Sequence, residues 1–300
     1  MQQNIYKNIL SEGASYLTGL SGHIFDVLEV KPPHSVQATI NLATTISKLS
    51  PLVGNMIEFT TCDYLNAHTS FSEFGKWFRQ DPGFPDTIFL GSVTPNPGFE
   101  IKAWFPLATE ITARFKDSYS YFHLDQTYVV LMAWLPEFVI FGRPCIIDVV
   151  CISAAEIAKS RDMHYHQPPG YIILEPHDTS SRTANLQQTN TNGFIFQGSP
   201  DEFSLAQTYV LENGLDQGYQ TDENYQQAIR KLFGSYKYRL DTNFAKINRI
   251  KNSEIDQFKI KVMNTPFQGR TIKEWQKILS SKNDSLIITS LTESLNFSFQ

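Results

Sequence analysis

Cysteine is scarce in this chain. Three residues in 300, Cys62, Cys145 and Cys151, sit in apolar sequence without C-x-x-C spacing. They read as buried thiols in a reducing compartment, with zinc or catalytic use the lesser reading. Long apolar runs are missing as well: no stretch approaches the roughly 18 residues that a membrane helix needs. The N-terminal MQQNIYKNILSEGASYL has no basic segment leading into an apolar core. No signal peptide is expected, therefore, and a cytoplasmic location is. A basic excess is absent too, with 25 Lys and Arg against 30 Asp and Glu, a net charge of −5. A wholly basic, sequence-blind polyanion binder is excluded, so a nucleic-acid partner would have to be held by local positive potential. The charge is uneven: residues 1–220 carry 12 basic and 22 acidic side chains, residues 221–300 carry 13 and 8.

What the chain has is ample core material, 41% hydrophobic and 13% aromatic. This suits one large or two modest globular domains. IYKNILSEGASYLTGL, VQATINLATTISKL and SPLVGNMIEFTTCDYL read as helices, the last opened by Ser50 and Pro51. SFSEFGKWFRQ, with Phe71, Phe74 and Phe78 at helical spacing, reads as another. PLATEITARFKDS reads as a helix through Leu107, Ile111 and Phe115. TYVVLMAWL and RPCIIDVVCI are continuous apolar runs suited to strands buried on both faces. Ser153 and Glu156 spell a capping box ahead of SAAEIAKSRD, and YIILEP reads as a further buried strand. From Ser199 onward the chain is polar and helical, with SPDEFSLAQTYVLENG, TDENYQQAIRKLFGSYKYRL and TIKEWQKILSSK. These elements predict an α/β protein with a mixed central sheet flanked by helices. A core of residues 1–200 would carry a mainly helical C-terminal part over 201–300.

One stretch concentrates chemistry. FPDTIFLGSVTPNPGFEIKAWF, residues 84–105, predicts two short strands joined by a Pro/Asn/Gly turn. Side chains alternate along a strand, so Glu100 and Lys102 share one face of the second strand while Ile101 turns to the other. Asp86 stands at the mouth of the first strand. If the strands pair, two carboxylates and an ammonium converge. Such a set suits a hard divalent cation such as Mg²⁺, which keeps several waters and takes one or two carboxylates from the protein. The cation would activate a water beside a phosphate, and a neighbouring lysine would handle that water.

Pro85-Asp86, 13 intervening residues and Glu100-Ile101-Lys102 together resemble the PD-(D/E)-x-K nuclease superfamily, and within it the type II restriction endonucleases. The resemblance covers roughly residues 50–180. It implies a restriction-endonuclease-like fold and Mg²⁺ held by Asp86 and Glu100, with Lys102 acting on the water. Specific double-stranded DNA would be cut to leave 5′-phosphates, by a homodimer if the site is palindromic. Glu58, an acid among apolar neighbours on the helix before the hairpin, is the leading auxiliary ligand. Two other readings remain open: a structure-specific repair or recombination nuclease using the same residues, and a non-catalytic DNA-binding protein.

Other candidates are weaker. Asp26 with Glu29-Val30-Lys31 also spells part of the motif, but two intervening residues cannot form a second strand. Glu110 and Arg114, four apart, form either a surface ion pair or an additional ligand and a DNA-backbone contact. His164 and His166 lack a third metal ligand and read as a polar loop. Residues 180–197 gather Arg182, Asn185, Gln187, Gln188, Asn190 and Asn192. Arg reads guanine edges and Asn or Gln reads adenine edges, so this composition suits base recognition in the major groove.

Overall fold

The computed structural model describes residues 5–80, 83–108, 110–175, 193–241 and 243–295. The chain divides into two interleaved units: Met1–Ala113 with Gln126–Ile152 and Ser253–Gln300, and Arg114–Asp125 with Ser153–Asn252. Residues 201–252 therefore belong to the second unit, and those from 253 onward to the first.

The first unit is built on a five-stranded mixed sheet of order β1-β2-β3-β4-β5: Gly75–Arg79, Thr87–Gly91, Gly98–Trp104, Thr127–Pro136 and Pro144–Ser153. β1, β2 and β3 run antiparallel in turn, and β4 lies parallel to β3 from Gly98↔Thr127 to Trp104↔Ala133. From Val129 to Leu135 β4 has essentially no exposed surface, which is why its sequence is continuously apolar rather than alternating.

Helices α1 (Ile5–Thr18), α2 (Val36–Thr45) and α3 (Ser50–His68) precede the sheet. α1 turns Tyr6, Ile9, Leu10, Gly13 and Leu17 inward at helical spacing. A Cβ at Gly13 would come within 2.7 Å of the Phe99 ring, so the absence of a side chain there lets the helix lie directly on β3. α3 follows, Gly54 facing Ala103 of β3.

Strand β1 is an edge, and Asn66 of α3 covers its middle. The Asn66 amide takes the N–H of Trp77 at 2.9 Å and donates to its carbonyl at 2.8 Å.

The second unit holds α4 (Ala154–Tyr165), α5 (Pro200–Glu212) and α6 (Glu223–Ser235). Its sheet has three antiparallel strands: β6 (Tyr171–Ile173), β7 (Gly193–Phe196) and β8 (Tyr238–Leu240). Its core joins Ile172 and Leu174 to Ala206, Val210, Ile229 and Leu232. The remaining elements return to the first unit: α7 (Ser253–Asn264), the short strands β9 (Pro266–Phe267) and β10 (Arg270–Thr271), α8 (Ile272–Ser280) and α9 (Asp284–Leu295).

Helices α1, α2, α3, α4, α5 and α8 form where periodicity and caps predict them, and so does α6, except that the end of TDENYQQAIRKLFGSYKYRL leaves the helix and supplies strand β8. The Ser199/Glu202 and Thr271/Glu274 boxes are both closed. Among the described residues no helix is long and apolar enough to cross a membrane.

Two expectations of helix fail outright. SFSEFGKWFRQ contains strand β1, with Trp77 buried and Phe78 exposed, because pairing with β2 overrides the helical spacing of its phenylalanines. PLATEITARFKDS forms no helix; Ile111 and Phe115 are buried on an irregular path. YIILEP does supply a buried strand, β6, which pairs within the small sheet of the second unit. Residues 24–30 are bridged to Cys145 and Gly142 at Ile24 and Val30, Phe25 N–H donates to the Pro144 carbonyl at 2.9 Å, and Asp26 lies 3.9 Å from Arg143.

Candidate active site

The hairpin of β2 and β3 brings the motif together. Its ladder pairs Ile88 with Gly98 and Thr87 with Phe99; one further step sets Asp86 opposite Glu100. Gly98 makes the approach possible, because a Cβ there would lie 2.3 Å from Pro85. The Pro85-Asp86 corner can thus close over the start of β3.

Each carboxylate is fixed by the other strand's backbone. Asp86 N–H donates to Glu100 Oε2 at 3.2 Å, and Ile101 N–H donates to Asp86 Oδ2 at 2.7 Å. Asp86 Oδ1 accepts no hydrogen bond from the described residues. Lys102 lies between the two acids: its Nζ donates to Glu100 Oε1 and stands 3.6 Å from Asp86 Oδ2. The cluster is lodged in the wall of the fold rather than waving in solvent, with side-chain exposures of 20% for Asp86, 9% for Glu100 and 17% for Lys102.

Two like charges directly across a strand pair repel, so the ammonium is what makes this pairing tolerable. Burial alone would push Lys102 down. The carboxylates of Glu100 and Asp86 outweigh it and, with a smaller contribution from Glu58, hold the group above the ordinary lysine range. In this state Lys102 is a donor and not a base. Glu58, half-buried on α3, therefore faces the cluster electrostatically, as the position of its helix before the hairpin suggests.

Among the described residues no group of three or more His, Cys, Asp or Glu is arranged to hold a metal ion. An all-protein cage is not what a hard cation requires. Two carboxylates anchored through one oxygen each match the demand of Mg²⁺, which fills its remaining positions with water. Asp86 and Glu100 fit that ion and do not fit zinc, whose sites use nitrogen and sulfur donors.

The other candidates fall elsewhere. Arg114, exposed, forms an isolated backbone bridge with Lys246 and lies 3.4 Å from Asn243 Oδ1 in the second unit; Glu110 belongs to the first unit, and neither residue is in a helix. His166 is not in a polar loop. It is 4% exposed, its Nδ1 meets the backbone of Ile173 and its Nε2 meets the Tyr225 hydroxyl. Burial pushes its imidazole down to about 4. Glu29 and Lys31 take no part in the cluster. Burial raises the Cys62 thiol to about 11 and the Cys151 thiol to about 12, which makes both poor nucleophiles at neutral pH. Arg182, Asn185, Gln187, Gln188, Asn190 and Asn192 lie outside the described residues.

One group went unnoticed in the sequence. In the second unit Arg161 and Asp162, both fully buried, are paired at 2.7 Å, with Glu175 4.0 Å from the guanidinium. The only signal was a charged dipeptide in a helix with little amphipathic contrast.

Neither the family models nor the curated proteins nor the solved structures compared with the chain match it.

Proposed function

We infer that the chain is an Mg²⁺-dependent endodeoxyribonuclease of the PD-(D/E)-x-K kind, acting on specific sites in double-stranded DNA as type II restriction enzymes do. The observation that carries this reading is the opposition of Asp86 and Glu100 across β2 and β3 with Lys102 between them. Support also comes from the frame: an antiparallel β1-β2-β3 run continued by a parallel β4, with α1 and α3 laid on β3.

Asp86 and Glu100 would hold Mg²⁺, with Glu58 beside them. When bound, the ion lowers the pKa of a coordinated water and offsets negative charge gathering on the phosphate. The protein's part is positional. Backbone donors from Asp86 and Ile101 fix one oxygen of each acid, so the carboxylates need little reorganisation to bind. Lys102, as an ammonium, orients the attacking water and donates to the phosphate. Cutting a palindromic site calls for a two-fold homodimer, one protomer for each strand. Hydrolysis on this pattern leaves 5′-phosphates.

Purified protein incubated with phage DNA and Mg²⁺ should give discrete fragments. Glu100→Ala and Lys102→Ala should give none while keeping the wild-type circular dichroism. Undigested DNA across a panel of genomes, or cutting retained by both variants, would end the proposal.

A further inference from the structure

The motif lysine lies against both motif carboxylates. Nζ of Lys102 donates to Glu100 Oε1, an oxygen that a metal held by Glu100 would compete for, and it lies 3.6 Å from Asp86 Oδ2. Backbone holds part of the same pair: Glu100 Oε2 accepts from Asp86 N–H and Asp86 Oδ2 from Ile101 N–H, while Asp86 Oδ1 accepts no hydrogen bond from the described residues. One positive charge is thus shared by two acids that face each other across the strands. With 17% of its side chain exposed, Lys102 is held inside the cluster, not resting on it.

Resting on the metal-nuclease reading of this site, we propose that Lys102 is the counter-cation of the metal-free state and that a divalent ion binding to Asp86 and Glu100 displaces its ammonium. The lysine then has two positions. Without the ion it holds the acidic pair together. With the ion it swings free of Glu100 and becomes available to a water or a phosphate oxygen. The entering ion therefore assembles the site and releases its own assistant in one step, and both acids must be ionised for either cation to stay. Lysine suits such an exchange better than arginine, because its ammonium is a point charge on a flexible stem rather than a planar fork locked to two oxygens.

The test follows the amine directly. The full chain is methylated with formaldehyde and a borane reductant, with and without Mn²⁺, and Lys102 is read by peptide mass spectrometry. Calorimetric Mn²⁺ titrations are run on wild type, Lys102→Met, Lys102→Gln and Glu100→Gln. Mn²⁺ should raise labelling of Lys102 several-fold in wild type and leave it unchanged in Glu100→Gln. Removing the competing charge should tighten Mn²⁺ binding about tenfold in whichever of the two Lys102 variants folds as wild type does by circular dichroism. Mn²⁺ binding to wild type with no change in labelling and no gain in either Lys102 variant would overturn displacement and leave the nuclease reading standing. No Mn²⁺ binding by any of the four proteins would remove both.

Discussion

Two clusters of similar make-up, each with acids around one basic side chain, occur in this chain, one in each unit. In the first, Lys102 joins Asp86 and Glu100, and all three keep some contact with solvent. In the second, Arg161 joins Asp162 and Glu175, with exposures of 0%, 0% and 2%. The basic groups also differ in what else they hold. Among the described residues Lys102 bonds to its acids, whereas one Arg161 nitrogen also donates to the carbonyls of Phe115 and Asp117, at 3.0 Å each. Glu175 in turn accepts from the backbone of Tyr119 and from the hydroxyls of Ser118 and Ser120. The buried cluster is a fastener for residues 115–120. The comparison teaches that acids around a base do not mark chemistry by themselves; what separates the two is whether an incoming ion can reach them and whether the base is free to leave.

The sharpest way to break this contrast is to neutralise one charged side chain in each. Glu100→Gln is expected to lower Mg²⁺-dependent cleavage about a thousandfold with little change in melting temperature. Arg161→Met should do the reverse, costing about 3–5 kcal/mol of stability in a denaturant titration by leaving buried acids uncompensated. Its residual folded fraction should cleave normally. Were Arg161→Met to fold as well as wild type yet lose cleavage, the division of labour would be wrong.

A subtler contrast concerns protons. Burial pushes Asp162 up to about 7, with Glu175 adding to the rise and Arg161 opposing it. A carboxyl whose folded value exceeds its unfolded value near 4 contributes stability that is fully present below pH 4 and is lost as the pH rises through about 7. Against Asp162→Asn, wild type should therefore lose relative stability between pH 4 and pH 8. Parallel stability curves for the two proteins across that range would contradict a raised value at this site. The smallest effect concerns the edge of the large sheet: Asn66→Ala should cost about 1 kcal/mol for each net hydrogen bond lost and raise concentration-dependent association, measured by light scattering.

Much of this was legible from residue order, and the reasons are local. Asp86, Glu100 and Lys102 could be placed because a Pro/Gly turn and two-residue alternation fix which side chains share a face. The buried run of β4 announced itself by apolar continuity, whereas β5, equally apolar in sequence, lies at the sheet edge with half its residues only partly buried. What failed depended on partners distant in the chain. Leu107, Ile111 and Phe115 are spaced as on a helix, yet Arg161, 46 residues on, takes the Phe115 carbonyl that a helical ladder would use. The phenylalanines of 71–78 gave a similar false period, while Trp77 was claimed by Phe89 across the strand and by Asn66 on its outer side. The clustering of Arg161, Asp162 and Glu175 arises only when α4 and the end of β6 meet around residues 115–120, and no spacing rule reports that.

The amide on β1 carries one more implication. Trp77 is the middle residue of a five-residue strand, and both its outward backbone groups are occupied. A second molecule seeking to zip onto that border would find its register interrupted halfway, so two copies cannot merge their sheets there into one continuous ribbon. A symmetrical pair of such chains would have to join somewhere other than that border.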